Sequence, residues 1–430
     1  MKAGLLRGVL LLFAVVFLIA GCSKAEDHAG SSNSGNSTAS PSAGNGATES
    51  NESATLEPSP PPGSGDGEES RGGGAGGQGG PEPQAGQLTA GEWNDTLDWS
   101  RWGNLLNSRK GDEYQRHWGY FRFNRLAVEV TSGQRPVVDA RLVLKDQTDH
   151  AVWEARTDNH GRAFAYAWLF DDHNQSGGDD EFSVELYIGQ DIVKRYENVS
   201  IPRKEILQID VQQNVAMPES ADVMLVIDTT GSMADELQYL AAELKDVINR
   251  VNEQTEQELS LRLSANFYRD LYDDYVVKPF PFTKDVDEAV RQIAAQEAEG
   301  GGDYPEAVDE ALANALYEHE WSREARARLL LLVMDAPPHD DKRTMGKMRD
   351  LTIEAARMGV RIIPVASSGV DKHTEYLMRF LAAATGGTYV FLTDHSGIGN
   401  AHLEPDVGEY EVHLLNDLLV DLIVRYTEHR

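Results

Sequence analysis

Residues 223–237 read VMLVIDTTGSMADEL. Five apolar residues climb to Asp228, two threonines, a glycine and a serine follow, and a helical pattern then begins. A near-continuous apolar run fits a strand buried on both faces, as in a parallel sheet between helix layers. Just downstream, Leu237, Leu240, Leu244, Val247 and Val251 keep the spacing of an amphipathic helix. Strand and helix then alternate to the end of the chain. Strands are expected in LSLRLSANFYRD, LLLLVMD, VRIIPVAS and TYVFLT. Helices are expected around 285–297, 305–317, 342–358 and 372–384, and in HLLNDLLVDLIVRY. The pattern predicts a doubly wound, mostly parallel α/β sheet over 218–430.

Sheets of this kind bind ligands beyond the carboxyl ends of their strands. Asp228 ends the first strand, and Thr230 and Ser232 lie two and four residues on, in a turn that can bring three oxygen side chains to one point. In EGGGDYPEAVDEAL, Asp303 follows a glycine run and immediately precedes a helix. In LLLLVMDAPPHDD, Asp335 ends another buried strand, and Pro337 and Pro338 stop it from continuing. Hard oxygen donors at a strand rim suit Mg²⁺, Mn²⁺ or a weakly held Ca²⁺ and disfavour soft metals. Read without a metal, Asp228 would be a helix N-cap and Ser232 a turn hydroxyl. That leaves several carboxylates converging on one edge without a cation.

This set resembles the von Willebrand factor A domain and its metal-ion-dependent adhesion site. The family motif is Asp-x-Ser/Thr-x-Ser, then a Thr or Asp on a second loop, then an Asp on a third. Asp228, Thr230, Ser232, Asp303 and Asp335 stand at those places. Many members have Thr on the second loop. The Asp303 variant makes the site more negative, which should tighten the metal and weaken its pull on an acidic ligand. Glu306 competes for that place, and Asp303 is the preferred assignment. The resemblance implies that the cation keeps an open position for a partner's Asp or Glu, so that the chain works by metal-dependent protein binding. His339, Asp340 and Asp341 are read as a solvated loop rather than a second metal cluster.

The rest of the chain bounds this reading. Its 430 residues hold 70 acidic against 39 basic side chains, a net charge of −31, which argues against nucleic acid as a partner. The amino end, with Lys2, Arg7 and an apolar run from Val9 to Ala20, is too short to span a membrane comfortably and reads as a signal peptide over 1–21. Ile19-Ala20-Gly21-Cys22 resembles the bacterial lipobox, which implies lipidation at Cys22 and a membrane-anchored protein on the extracytoplasmic face. Residues 22–90 are rich in Gly, Ser, Asn, Pro and Glu. They cannot bury enough apolar surface to fold, and as a flexible tether they would reach roughly 45 Å.

Residues 91–215 hold an aromatic lead-in, WNDTLDWSRWGNLLNS, and six segments of alternating polarity (LAVEVTSG, DARLVLKD, AVWEARTD, RAFAYAWLF, FSVELYIG and EILQIDVQ). Turn residues separate them, which predicts an antiparallel β-sandwich. GQRPVVDARLVL and ARTDNHGRAFAYA resemble prealbumin-like accessory modules. The loop DDHNQSGGDDEF begins like a calcium loop at Asp172, Asn174 and Ser176. Its twelfth position lacks the glutamate, and it reads as an acidic hairpin loop.

No enzyme signature is present. Thr230 stands where an aspartyl-phosphate enzyme needs a second Asp, HEWSR lacks the second His of a zinc protease, and no nucleophile elbow or P-loop occurs. Two other readings remain: a Mg²⁺-dependent hydrolase using Asp228 and Asp335 to activate water, and a subunit of an envelope assembly that binds no ligand through its metal.

Overall fold

The structure is a computed structural model that describes residues 83–121, 123–172, 181–255 and 259–428. Cys22, the signal segment, most of the tether, and Asn174 and Ser176 lie outside the described residues. From the amino end come β1 (Thr89–Trp93), α1 (Trp99–Leu106), α2 (Arg109–Trp118), β2 (Asn124–Ser132), β3 (Arg135–Pro136), β4 (Arg141–Lys145), β5 (Ala151–Arg156), β6 (Arg162–Ala167), β7 (Glu181–Ile188), β8 (Asp191–Ser200) and β9 (Leu207–Asp210). Then follow β10 (Ser220–Asp228), α3 (Leu237–Thr255), β11 (Ser260–Tyr268), β12 (Val277–Lys278), α4 (Val286–Ala294), α5 (Val308–Tyr317), β13 (Ala327–Met334) and α6 (Lys342–Met358). The chain closes with β14 (Val360–Ala366), α7 (Lys372–Thr385), β15 (Tyr389–Leu392), β16 (His413–Leu414) and α8 (Leu415–Thr427). Among the described residues no helix is long and apolar enough to cross a membrane.

The largest sheet runs β12-β11-β10-β13-β14-β15-β1-β16. Its five central strands, β11 through β15 in that order, are mutually parallel. The reason lies in β10, whose apolar residues face both ways. Met224 and Val226 enter a core shared with α5, α6 and α7, while Val223, Leu225 and Ile227 enter a second core shared with α3, α4 and α8. A strand buried on both faces needs helices on both sides, and each fully buried aliphatic side chain contributes roughly 1.5–3 kcal/mol. From β10 the chain first moves outward to β11, then crosses back to β13 on the other side. This reversal opens a crevice at the carboxyl ends of β10 and β13.

The six alternating segments of the first half fall on β2, β4, β5, β6, β7 and β9. With β3 and β8 they form two four-stranded sheets, one of β3-β2-β6 with β9 beside β2, the other β5-β4-β7-β8; the expected antiparallel order holds except that β9 runs parallel to β2. Leu126 and Val128 of the first and Leu142, Leu144, Val184 and Leu186 of the second share a buried cluster that continues into the α5–α7 side of the large sheet. Strand β8 was not expected, because Lys194, Arg195, Glu197 and Asn198 interrupt its apolar alternation.

A larger departure concerns β1. The sequence reading placed residues 91–215 in a separate amino-terminal unit, yet Thr89–Trp93 pairs antiparallel with β15 and with β16 inside the large sheet. Covering the edge of the four-residue β15 satisfies backbone groups that would otherwise be left open. Gly91 is required there, since a Cβ at that position would lie 2.6 Å from the Phe391 ring. Three further contacts hold the strand. The Glu243 carboxylate accepts the N–H groups of Gly86, Gln87 and Leu88, each at 2.8 Å. Arg425 reaches Glu92 at 2.7 Å. Asp95 meets the fully buried Arg379 through two hydrogen bonds of 2.7 and 2.9 Å.

Candidate metal centre

Parallel pairing sets the positions of the two strand-end carboxylates. Ile227 lies opposite Val333, so Asp228 closes β10 beside the end of β13, and Asp335 follows directly after Met334. Beyond Asp228 the chain turns into a short 3-10 segment, Gly231–Asp235, before α3. That turn folds the hydroxyls back. Asp228 Oδ1 accepts from the Thr230 N–H at 2.9 Å and from Thr230 Oγ1 at 2.6 Å, and Ser232 Oγ lies 3.0 Å from Thr230 Oγ1. Asp228 and Thr230 are fully buried and Asp335 nearly so, whereas Ser232 is exposed.

The second loop is stitched to this turn by backbone contacts. Gly231 N–H donates to the Gly300 carbonyl at 3.0 Å, and Glu299 N–H donates to the Thr229 carbonyl at 3.1 Å. Gly300 and Gly301 both have positive φ. A Cβ on Gly300 would strike the Asp273 carboxylate, and one on Gly301 would sit 3.1 Å from Glu306 Oε1 and 3.3 Å from Thr230 Cβ. The glycine run therefore lets the loop close over the site.

The same closure decides between the two acids of this loop. Asp303 is exposed on its outer turn. Glu306 is buried, its N–H is held by the Pro337 carbonyl at 2.9 Å, and its carboxyl group lies against Gly301. The structure thus brings Asp228, Thr230, Ser232 and Asp335 to one crevice and adds Glu306 there, while the preferred Asp303 stays at the rim. The physical reason is the bridge from Glu306 to the segment after β13, where the Pro337 carbonyl holds the Glu306 N–H, while Asp303 lies on the exposed bend before it.

The electrostatics follow from this packing. One oxygen of each acid, Asp228 Oδ2, Asp335 Oδ1 and Glu306 Oε2, is buried and finds no hydrogen-bond partner among the described residues. Burial, reinforced by Asp335, pushes the Asp228 carboxyl well above the usual range, although its bonds from Thr230 work the other way. Burial also raises Asp335, against the hydrogen bond from Ser232 and with the nearby charges of Glu236 and Asp235. Glu306 is pushed up to about 9 by burial and by Asp228, Asp270, Asp335 and Asp273. Tyr268, at the end of β11, was not singled out from sequence. It lies opposite Asp228 in the parallel β10–β11 pair, and its phenol is raised well above its ordinary value by burial and by the same three acids. A rim position on the strand next to β10 was the signal that could have found it.

Buried carboxylate oxygens without donors, flanked by two hydroxyls, form a donor set that fits a hard divalent cation. Among the described residues no three His, Cys, Asp or Glu side chains close on one point by themselves. A cation here would draw on the hydroxyls as well. His339, read as part of a solvated loop, instead places Nε2 2.8 Å from Asp270 Oδ1, and Asp341 caps α6 by accepting from the N–H groups of Arg343 and Thr344.

Comparison with known proteins bears on the α/β half. No curated protein matches the chain. Among solved structures, the conserved hypothetical protein BatB from Bacteroides thetaiotaomicron aligns at 13% identity with a TM-score of 0.31, covering 40% of this chain and 89% of that one. The family model of the von Willebrand factor A domain matches residues 222–397, a span that contains Asp228, Thr230, Ser232, Asp303, Glu306 and Asp335. Over those residues the chain is similar to the von Willebrand factor A domain.

Proposed function

We propose that the chain binds another protein through a divalent cation, Mg²⁺ or Mn²⁺ in preference to Ca²⁺, held at this crevice. The observation that carries the reading is that Asp228, Asp335 and Glu306 each leave one buried carboxylate oxygen without a donor along the crevice where strand order reverses. A cation bound there supplies an electrophilic centre for a carboxylate of the partner. Asp228 and Asp335 provide the charge that retains it. Thr230 donates its hydroxyl proton to Asp228, which leaves its oxygen lone pairs directed elsewhere as a neutral ligand. Ser232, exposed beside Thr230, marks the open side.

The neutral oxygen of Thr230 separates this reading from hydrolysis. In Thr230→Asp the added charge should hold metal at least as well and yet abolish capture of the partner, because the cation's field is then satisfied within the chain. The measurement is retention of envelope proteins on the full chain, with Mg²⁺ and with chelator, beside phosphatase and peptidase turnover. Undiminished capture by the variant, or chelator-sensitive turnover by the parent, would overturn the reading in favour of the hydrolase. Capture that ignores the chelator would favour a subunit that docks by another surface.

The place of action proposed is the extracytoplasmic face of the cell membrane, with Cys22 lipidated and a tether that ends before Gly86, where Glu243 begins to hold the backbone. Cys22→Ala should release the protein from the membrane fraction or leave its precursor uncut. Unchanged fractionation and migration would remove the lipoprotein assignment.

A further inference from the structure

The two loops on one side of the crevice, residues 269–274 and 297–306, hold seven carboxylates against a single base, Arg269. That base is buried, donates to the Glu297 carbonyl at 3.0 Å, stacks 4.6 Å from the Tyr275 ring and lies 3.8 Å from the Glu299 carboxylate, so it offsets one of the seven acids. Asp274, Glu297, Glu299 and Asp303 remain exposed. Next to Asp273 and Asp274 in the chain stands Tyr272, 97% exposed, with Leu271 and Tyr304 each 43% exposed. These loops are fixed to the crevice and to each other, since Asp273 Oδ2 accepts the Gly301 N–H at 2.9 Å and the Tyr304 hydroxyl donates to the Gly369 carbonyl at 3.1 Å. The buried, unpartnered Glu306 Oε2 lies on the crevice side of the same wall.

An acidic ligand would approach this wall against like charge, and like charges brought together at an interface are strongly unfavourable. A cation beside an exposed tyrosine face gains from the ring as well as from the surrounding carboxylates. We propose that the partner's carboxylate is carried on a basic segment, whose Lys or Arg side chains lie over Tyr272 and against the loops of residues 269–274 and 297–304. The inference rests on the proposed carboxylate-accepting site and adds the charge of the partner around it. The adjoining segment, whose His339 meets Asp270 at 2.8 Å, carries the exposed Lys342 and Arg343 together with Asp340 and Asp341, so it adds no net charge to the acidic excess of the two loops.

The test uses the full chain and synthetic peptides of equal length, each with one central Asp flanked by Lys, by Ser or by Glu, plus a Lys-flanked peptide without the Asp. In Mg²⁺ at about 150 mM salt, where only charges within roughly 8 Å of each other interact strongly, the Lys-flanked Asp peptide should bind at least about tenfold tighter than the Glu-flanked one. Chelator and loss of the Asp should each abolish its binding. Charge reversal in Asp274→Lys with Glu299→Lys should transfer the preference to the Glu-flanked peptide, a gain that a misfolded variant cannot show. Tyr272→Ala should weaken the Lys-flanked peptide several-fold. Metal-dependent binding of all Asp peptides without ranking by flank would overturn this inference and leave the metal-dependent reading standing. Binding of the Lys-flanked peptides that ignores both chelator and Asp, or no binding of any peptide, would overturn both.

Discussion

In Asp228→Asn the full chain should lose the whole of its thermal stabilisation by divalent metal. For the parent, a metal present at a hundred times its dissociation constant should add about 2.7 kcal/mol of stability, read as a rise in Tm between chelator and millimolar Mg²⁺ or Mn²⁺. The variant keeps an oxygen to accept from the Thr230 N–H and hydroxyl, so the turn itself is retained. What it lacks is the charge. In chelator it should be at least as stable as the parent at pH 8, because the parent then carries a buried carboxylate with an oxygen that nothing neutralises. The pH dependence has a definite sign. Asp228, Asp335 and Glu306 all have pKa values raised in the folded state, so between about pH 4 and about pH 9 the native chain holds protons that the unfolded chain has released. The contribution of these groups to stability is therefore greatest at acid pH and falls as pH rises through that window. Metal competes with the same protons, so its stabilising effect should grow from pH 5.5 to pH 8.5. An unchanged melting curve with and without metal in the parent at pH 8.5 would remove the centre.

Asp95→Ala should cost about 3 kcal/mol, the lower end of the range for stranding one member of a buried ion pair. Arg379 is fully buried, and its two hydrogen bonds to Asp95 are its shortest contacts with any carboxylate. Glu375 lies 3.5 Å away and the Asp406 carbonyl 2.8 Å away, so the guanidinium keeps some partners, which is why the lower end applies. The Trp102 and Tyr376 rings, 5.0 and 5.3 Å from the guanidinium, cannot replace a counter-charge. Chemical denaturation of residues 83–430 measures the loss, and a change below about 1 kcal/mol would mean that Glu375 and the carbonyl suffice. The same contact sets the smallest unit worth expressing. A fragment cut at residue 218 removes Asp95 from Arg379 and β1 from β15, leaving an open parallel-sheet edge that invites association.

Much of this molecule is written in local pattern. The apolar run before Asp228, the helical stripe from Leu237 to Val251 and the prolines after Asp335 each impose their element through the periodicity of neighbouring side chains. Strand ends at Asp228 and Asp335 follow from them, and with the strand ends comes the edge where ligands bind. Only tertiary structure decided which acid joins them. Asp303 and Glu306 stand three residues apart in equally polar surroundings, and the choice depends on the Pro337 carbonyl that fixes Glu306 from another strand's loop. The pairing of His339 with Asp270 spans 69 residues and has no trace in either segment alone. Strand β1 is the clearest case. Its five residues alternate weakly, with a glycine at the centre, and nothing within TAGEW marks it as part of a sheet whose next strand lies almost three hundred residues away. Local periodicity says that a segment can form a strand. Which open edge it covers is settled by the free edge of β15, by the room Gly91 leaves for Phe391 and by the buried guanidinium of Arg379, whose nearest carboxylate is Asp95.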